Sequence, residues 1–185
     1  MPIKTEIITD SISPSGVRLT TFILEYPRFI HSELMTHRVF SKNAASSRAI
    51  PFEKFVEQIK NNPAMPEFWG ANQRGMQAHQ ELDNTNKTED FYYEEYLGGG
   101  ASEARTEKVT PMEKSKRLWL QARNKAIEQA TLLNQLGLHK QIVNRILEPW
   151  FHIRVIFSGT DYENFLLCEH MKTPSPNSGF SQKEC

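Results

Sequence analysis

Thr36-His37-Arg38-Val39-Phe40-Ser41-Lys42-Asn43-Ala44-Ala45-Ser46-Ser47-Arg48 joins a helix to a polar bend, and the organisation of the chain follows from it. A His-Arg pair closes the helix. Small residues follow, then hydroxyls and a further Arg. Small residues let backbone N–H groups come close to an anion. Hydroxyls and guanidinium forks then take phosphate oxygens. The same residues also suit an ordinary loop whose Ser and Asn side chains cap neighbouring helices.

Upstream, Phe29, Ile30, Leu34 and Met35 recur at helical spacing from Arg28 to about Arg38, and Pro27 suits a helix start. Residues 3–10 and 17–26 read as two strands of a hairpin around the turn cluster Ser13-Pro14-Ser15-Gly16. Downstream, Phe52, Phe55, Val56 and Ile59 predict a helix over about 52–61, and residues 72–82 predict the start of another. The polar stretch from Asp83 to about Thr110, with Gly98-Gly99-Gly100 inside it, reads as an exposed and mobile insertion. A long helix is expected over about 111–136, with Leu118, Ala122, Ala126, Ala130 and Leu133 facing inward and Gly137 as its cap. A further helix over 138–148 ends at Pro149, and Phe151 to Ser158 reads as a strand. Asp161 can cap a last helix. The expected fold is α+β, helices packed on a small, mostly antiparallel sheet, in one domain over residues 1–167.

Composition narrows the function classes. Apolar residues make up 38% of the 185, enough for a core. Lys+Arg and Asp+Glu both total 22, so net charge gives no support to general binding of nucleic acid or of a membrane surface. Cys168 and Cys185 are the only cysteines. Residues 1–167 therefore offer no thiolate nucleophile, disulfide or Cys-based metal site, and no metal is expected. No apolar run is long enough to span a bilayer, and the start of the chain lacks the apolar stretch of a signal peptide. A cytoplasmic protein is the expectation.

The order His37-Arg38, seven residues, Ser46, then Arg48 resembles the signature of flavin-dependent thymidylate synthases. The longer stretch from Glu33 to Pro51 looks like the phage and bacterial branch of that family, in which the first Arg of the signature is often Thr, as at Thr36. Gly70 to Ala78, His139-Lys140-Gln141, Asn144-Arg145 with Glu148-Pro149-Trp150, and Asn164-Phe165 match as well, in order. The resemblance implies that family's fold and a homotetramer with shared active sites. It implies FAD as cofactor, with NADPH and methylenetetrahydrofolate as co-substrates. The reaction would be methylation of dUMP at C5, without membrane or nucleic-acid partners.

Carried over by position, Ser46 and Arg48 would hold the dUMP phosphate. Ala44, Ala45 and Ser47 would offer backbone contacts. Glu33 occupies a dUMP-contacting helix position, and Arg145 would reach dUMP from a neighbouring subunit. His37, Arg38, Asn43 and Asn164 would line the flavin. Thr36 lacks the guanidinium found in the main branch. His31, His139 and His152 read as structural or surface residues, and Trp69, Trp119 and Trp150 as core or interface.

The end of the chain departs from this pattern. After Asn164-Phe165 the family continues through Leu-Arg to Ala-Gln-Pro-Glu, and that Arg recognises the uracil ring. Here Leu166-Leu167-Cys168-Glu169-His170 begins a polar, Pro-rich run. Plausible codons for Leu166 to Cys185, read two bases later, restore Ala-Leu-Arg and Ala-Gln-Pro-Glu. A one-base deletion near codon 166 is the expectation, leaving residues 168–185 out of frame and the uracil-binding Arg absent. A nucleotide- or nucleic-acid-binding module without catalysis is the alternative function.

Overall fold

The computed structural model describes residues 3–75, 78–82, 88–98, 101–163 and 165. In chain order the elements are β1 (Lys4–Ile12), β2 (Arg18–Pro27), α1 (His31–Thr36), β3 (Ser41–Ala44), α2 (Phe52–Asn61), β4 (Glu89–Gly98), β5 (Ala101–Val109), α3 (Pro111–Gln135), α4 (Lys140–Leu147) and β6 (His152–Gly159). The fold is α+β, with small antiparallel sheets and four α-helices among the described residues. The chain divides into two compact units, Met1–Ala64 with Gln129–Cys185, and Met65–Glu128, where the sequence reads one domain over residues 1–167.

The first unit is built on a four-stranded sheet in the order β1-β2-β6-β3, antiparallel throughout. β6 shows why one face is covered. Ile153, Val155 and Phe157 are buried, while Arg154 and Ile156 between them are exposed. That period of two is the mark of a half-buried strand. Phe55 and Ile59 of α2 and Val143 and Leu147 of α4 are also fully buried, each pair spaced four apart on its helix. At the far end of β6, Phe40 stacks with Phe157 at 4.3 Å and Tyr162 at 5.0 Å between ring centroids. A Cβ at Gly159 would lie 2.5 Å from Phe40 Cδ1, so only glycine lets those rings close over the strand. The outermost strand, β1, is exposed along its whole length and carries Ile7, Ile8 and Ile12 at the surface.

The second unit corrects two sequence expectations. Within the stretch expected to be a mobile insertion, β4 and β5 pair as a hairpin from Glu89↔Val109 to Gly98↔Ala101. Phe91 and Val109 are buried. Arg117 of α3 braces the hairpin, donating to Glu107 at 2.7 Å with its guanidinium carbon 5.4 Å from the Phe91 ring. The strand formers Phe91, Tyr92, Tyr93, Tyr96, Thr106 and Val109 follow no clean period of two and lie among charges, which hides the hairpin in the sequence. Residues 78–82 are not helical. Gly70 forms an isolated bridge with Glu81, and Ala71 N–H donates to Gln80 O at 2.7 Å, so that part of the segment lies back against residues 70–71.

Helix boundaries follow local chemistry. α3 ends in the double bond pattern of a Schellman cap: Leu138 N–H donates to Leu133 O at 3.1 Å and Gly137 N–H to Asn134 O at 3.0 Å. Gly137 sits at φ 84°, where a side chain is strained. Of the residues expected on its inner face, Ala130 is fully buried, but Leu118 and Ala122 are exposed. Ile127 takes the buried place, because the covered face shifts along so long a helix. The helix expected over 28–38 is a 3₁₀ turn over Arg28–Ile30 followed by the short α1. The bend expected after it is part strand, since the free edge of β6 takes up Ser41–Ala44 as β3. Asp161 Oδ1 accepts the Glu163 N–H at 3.0 Å, as the capping expectation requires. Asn164 and residues 166–185, where the rest of that expected helix and the tail would fall, lie outside the described residues.

Replacing Phe157 by Ala should lower stability by about 3–5 kcal/mol through cavity formation. Gly137→Ala should cost about 1 kcal/mol through backbone strain. Urea unfolding midpoints measure both, and equal losses would contradict this ordering.

Candidate functional site

The polar bend is a 3₁₀ turn over Ser47–Ala49, with Ser46 as its N-cap. Ser46 Oγ accepts the Arg48 backbone N–H at 3.3 Å and the Arg48 Nε–H at 3.5 Å. A hydroxyl that accepts two bonds still has its own proton to donate. Ser46 and Arg48 are both exposed, so that proton and the guanidinium stand side by side at the surface. Between them Ser47 is buried at 7% exposure. Its hydroxyl donates to Glu148 Oε1 at 2.5 Å.

Helix α4 and its C-terminal extension hold this turn from below. Asn144, with no exposed surface, donates from Nδ2 to Ser47 O at 2.8 Å and to Ile50 O at 3.1 Å. Lys140 Nζ donates to Ala49 O at 3.2 Å. Asn144 Oδ1 has no partner among the described residues. On the strand side, Ala45 N–H donates to Arg154 O at 2.9 Å, which engages one of the backbone donors expected to face a phosphate.

The second cluster forms where α1 ends. Lys42 Nζ donates to Leu34 O at 3.1 Å, to Met35 O at 3.3 Å and to His37 O. A cation on the last carbonyls of a helix satisfies groups that have no partner within the helix. Burial pushes the Lys42 ammonium below its usual value. His37 packs edge-on against Phe165 at 5.0 Å between ring centroids. Glu33 and Arg38 are exposed.

The expected site residues thus fall into groups. Ser46, Ser47 and Arg48 share one turn, and Ser47 points inward rather than out. Asn43 and Ala44 are neighbours on β3, so their side chains leave opposite faces of the sheet. Arg145 is exposed and follows the buried Asn144 by one residue, about 100° around the helix. Asn164 lies outside the described residues. Sequence reasoning matched Lys140, Asn144 and Glu148 to a pattern without giving them roles, and it gave none to Lys42. The four-residue spacing of Lys140, Asn144 and Glu148 was the available signal.

The histidines expected to be structural are in structural places. His139 Nδ1 accepts the Gln141 N–H at 3.2 Å and caps α4. His31 Nδ1 lies 2.7 Å from Tyr26 Oη, and His152 Nδ1 lies 3.5 Å from Asn62 Nδ2. His152 also lines a cavity of about 500 Å³ with Glu25, Ala45, Trp150 and Arg154. Burial pushes both His31 and His152 below the ordinary 6.5.

Solved structures similar to this chain include two of one methylase. One is a crystal structure of a UMP/dUMP methylase, PolB from Streptomyces cacaoi, bound with 5-Br dUMP. It aligns at a TM-score of 0.55 and 14% identity over 97% of this chain and 81% of that one. Another is of the same methylase bound with 5-Br UMP, at a TM-score of 0.47 and 16% identity over 86% and 71%. The first of these is a likeness of fold. No protein-family model matches the chain, and no curated protein matches it in sequence. Among the described residues no helix is long and apolar enough to cross a membrane.

Lys42→Met should lower stability by about 1–2 kcal/mol, because the carbonyls that close α1 lose a charged donor. Thermal denaturation at fixed pH checks this; an unchanged midpoint would show that the bonds carry no net weight. The two lowered imidazoles set a pH trend. Each folded-state value lies below the unfolded one, so the unfolded chain binds more protons in between. The stabilisation is present above pH 6.5 and is lost as pH falls below it. The midpoint should drop between pH 7.5 and 5.5, and His31→Asn with His152→Asn should flatten that slope.

Proposed function

We propose that this chain is the subunit of a flavin-dependent thymidylate synthase. It would methylate dUMP at C5, with methylenetetrahydrofolate as one-carbon donor and NADPH as reductant. The observation that carries the reading is the pairing of the Ser46 hydroxyl with the Arg48 guanidinium at the surface of a turn held from below. A neutral donor beside a fixed cation is the set that a phosphomonoester requires. The similarity in fold to a methylase bound with 5-Br dUMP supports it.

In this reading Ser46 and Arg48 hold the phosphate, and Ala44 and Ser47 add backbone contacts. Ala45 adds less, because its N–H is already engaged by Arg154 O. Glu33 lies on the substrate side of α1, and Arg145 enters from a neighbouring copy in a homotetramer. Fixing the phosphate anchors one end of the nucleotide and orients the base, which lowers the entropic part of the barrier.

The donor set around the end of α1 fits FAD. Arg38 offers an exposed guanidinium to its pyrophosphate, and His37 an imidazole already seated against Phe165. Asn43, exposed on β3, would offer its amide to a ring heteroatom, the role that the family match also gives to Asn164. When bound, the flavin supplies the hydride that completes the methyl group.

A second reading, nucleotide binding without turnover, is favoured by one feature. Leu166-Leu167-Cys168-Glu169 stands where the family carries the Leu-Arg that grips uracil. Loss of a transition-state hydrogen bond from such an Arg costs at least about 10²-fold in rate.

Purified protein should take up FAD, turn yellow and show a dUMP-dependent change in its visible spectrum. Arg48→Ala should weaken dUMP by about 10–100-fold, as expected for removing a charged hydrogen-bond donor. Turnover should be at least about 10²-fold below that of a chain rebuilt with the alternative-frame ending. A protein that stays colourless with excess FAD and ignores dUMP would overturn the reading.

A further inference from the structure

We propose that Asn144 and Glu148 are positioning residues for substrate phosphate, and that with Lys140 they form a three-point clamp on the Ser46–Arg48 turn. The proposal rests on the reading of that turn as the dUMP phosphate site. Lys140, Asn144 and Glu148 are spaced by four, so they lie along one face of α4 and its C-terminal extension. Every one of the three reaches the same short segment. Lys140 Nζ donates to Ala49 O at 3.2 Å, Asn144 Nδ2 to Ser47 O at 2.8 Å and Ile50 O at 3.1 Å, and Glu148 Oε1 accepts from Ser47 Oγ at 2.5 Å.

The clamp acts by turning Ser47 inward. A 3₁₀ turn has about three residues per revolution, so side chains at successive positions leave it in different directions. With Ser47 fixed inside by its hydroxyl and its carbonyl, Ser46 and Arg48 on either side are left at the surface. Their mutual contact through Ser46 Oγ then sets the separation of hydroxyl and guanidinium before any ligand arrives. Preorganised donors bind an anion without reordering at the moment of binding. Asn144 is suited to this because its Nδ2 carries two protons and engages two carbonyls three residues apart, which a hydroxyl cannot do. Its complete burial leaves the bonds without competition from water.

The test measures the affinity of FAD-loaded protein for dUMP and for deoxyuridine, which lacks the phosphate. The ratio of the two isolates the contribution of the phosphate. In Asn144→Ala, dUMP should weaken by about 10-fold or more while deoxyuridine changes by less than about 2-fold. Glu148→Ala should show the same selective loss at about 3–10-fold, and Glu148→Gln, which keeps an acceptor for Ser47, should recover most of it. General damage to the fold would weaken both ligands together. If Asn144→Ala does not fold, the Glu148 pair decides. Arg48→Ala separates the two levels of the argument. If the unaltered chain shows no preference for dUMP over deoxyuridine, the phosphate-site reading fails. If that preference exists and Arg48→Ala removes it, while Glu148→Ala and any folded Asn144→Ala keep it, the clamp is overturned and the site stands.

Discussion

A buried amide with two carbonyls to satisfy organises this part of the molecule. Asn144 has no exposed surface; without it Ile50 O would lose this donor and Ser47 O would keep only the Ile50 N–H at 3.3 Å. Each such group costs about 1–3 kcal/mol when unpaired. The turn that carries Ser46 and Arg48 therefore cannot drift from α4 without that penalty. The apolar partners of Asn144 on α4, Val143 and Leu147, are fixed by the core. Local chemistry at the surface is in this way tied to the packing of the first unit.

The sheet sets the other side of the site. β6 is shared between β2 and β3, so Val155 pairs with Leu24 on one side and Ala44 on the other. β3 is only four residues long, and its last rung is followed at once by Ala45 N–H to Arg154 O. The turn thus leaves a strand whose register is already fixed. A register slip of one residue would exchange the faces of Asn43 and Ala44. The burial of Val155 and Phe157 opposes that slip.

Much of the fold was legible in the sequence because the deciding signals were local. The amphipathic runs of α2 and α4, the turn after β1, and Gly137 behind α3 all report on neighbouring residues. What escaped depended on partners distant in sequence. Ser41–Ala44 has weak strand propensity and becomes a strand because β6 offers an open edge. The β4–β5 hairpin hid behind charges and glycines, and Arg117 on a different element braces it. Leu118 has the right residue type and period for a core position, yet it stays exposed. For the site, Ser46 and Arg48 stood out by type, whereas Asn144 and Glu148 stand 97 and 101 positions beyond Ser47 along the chain. Only folding brings them beneath the turn. The outward and inward roles of Ser46 and Ser47 could not be told apart in a Ser-Ser pair.

The strand at the open margin of the sheet bears on how the chain behaves in a test tube. β1 presents isoleucines along a row of backbone groups that no strand among the described residues covers, and such a margin readily recruits another chain. Electrostatic repulsion gives little protection near neutrality, since the formal charge is zero and the isoelectric point is about 7.0. Colloidal stability should consequently be poorest in ordinary neutral buffers and improve a unit or more to either side. Purification conditions, rather than the fold itself, then set how concentrated a sample can be made.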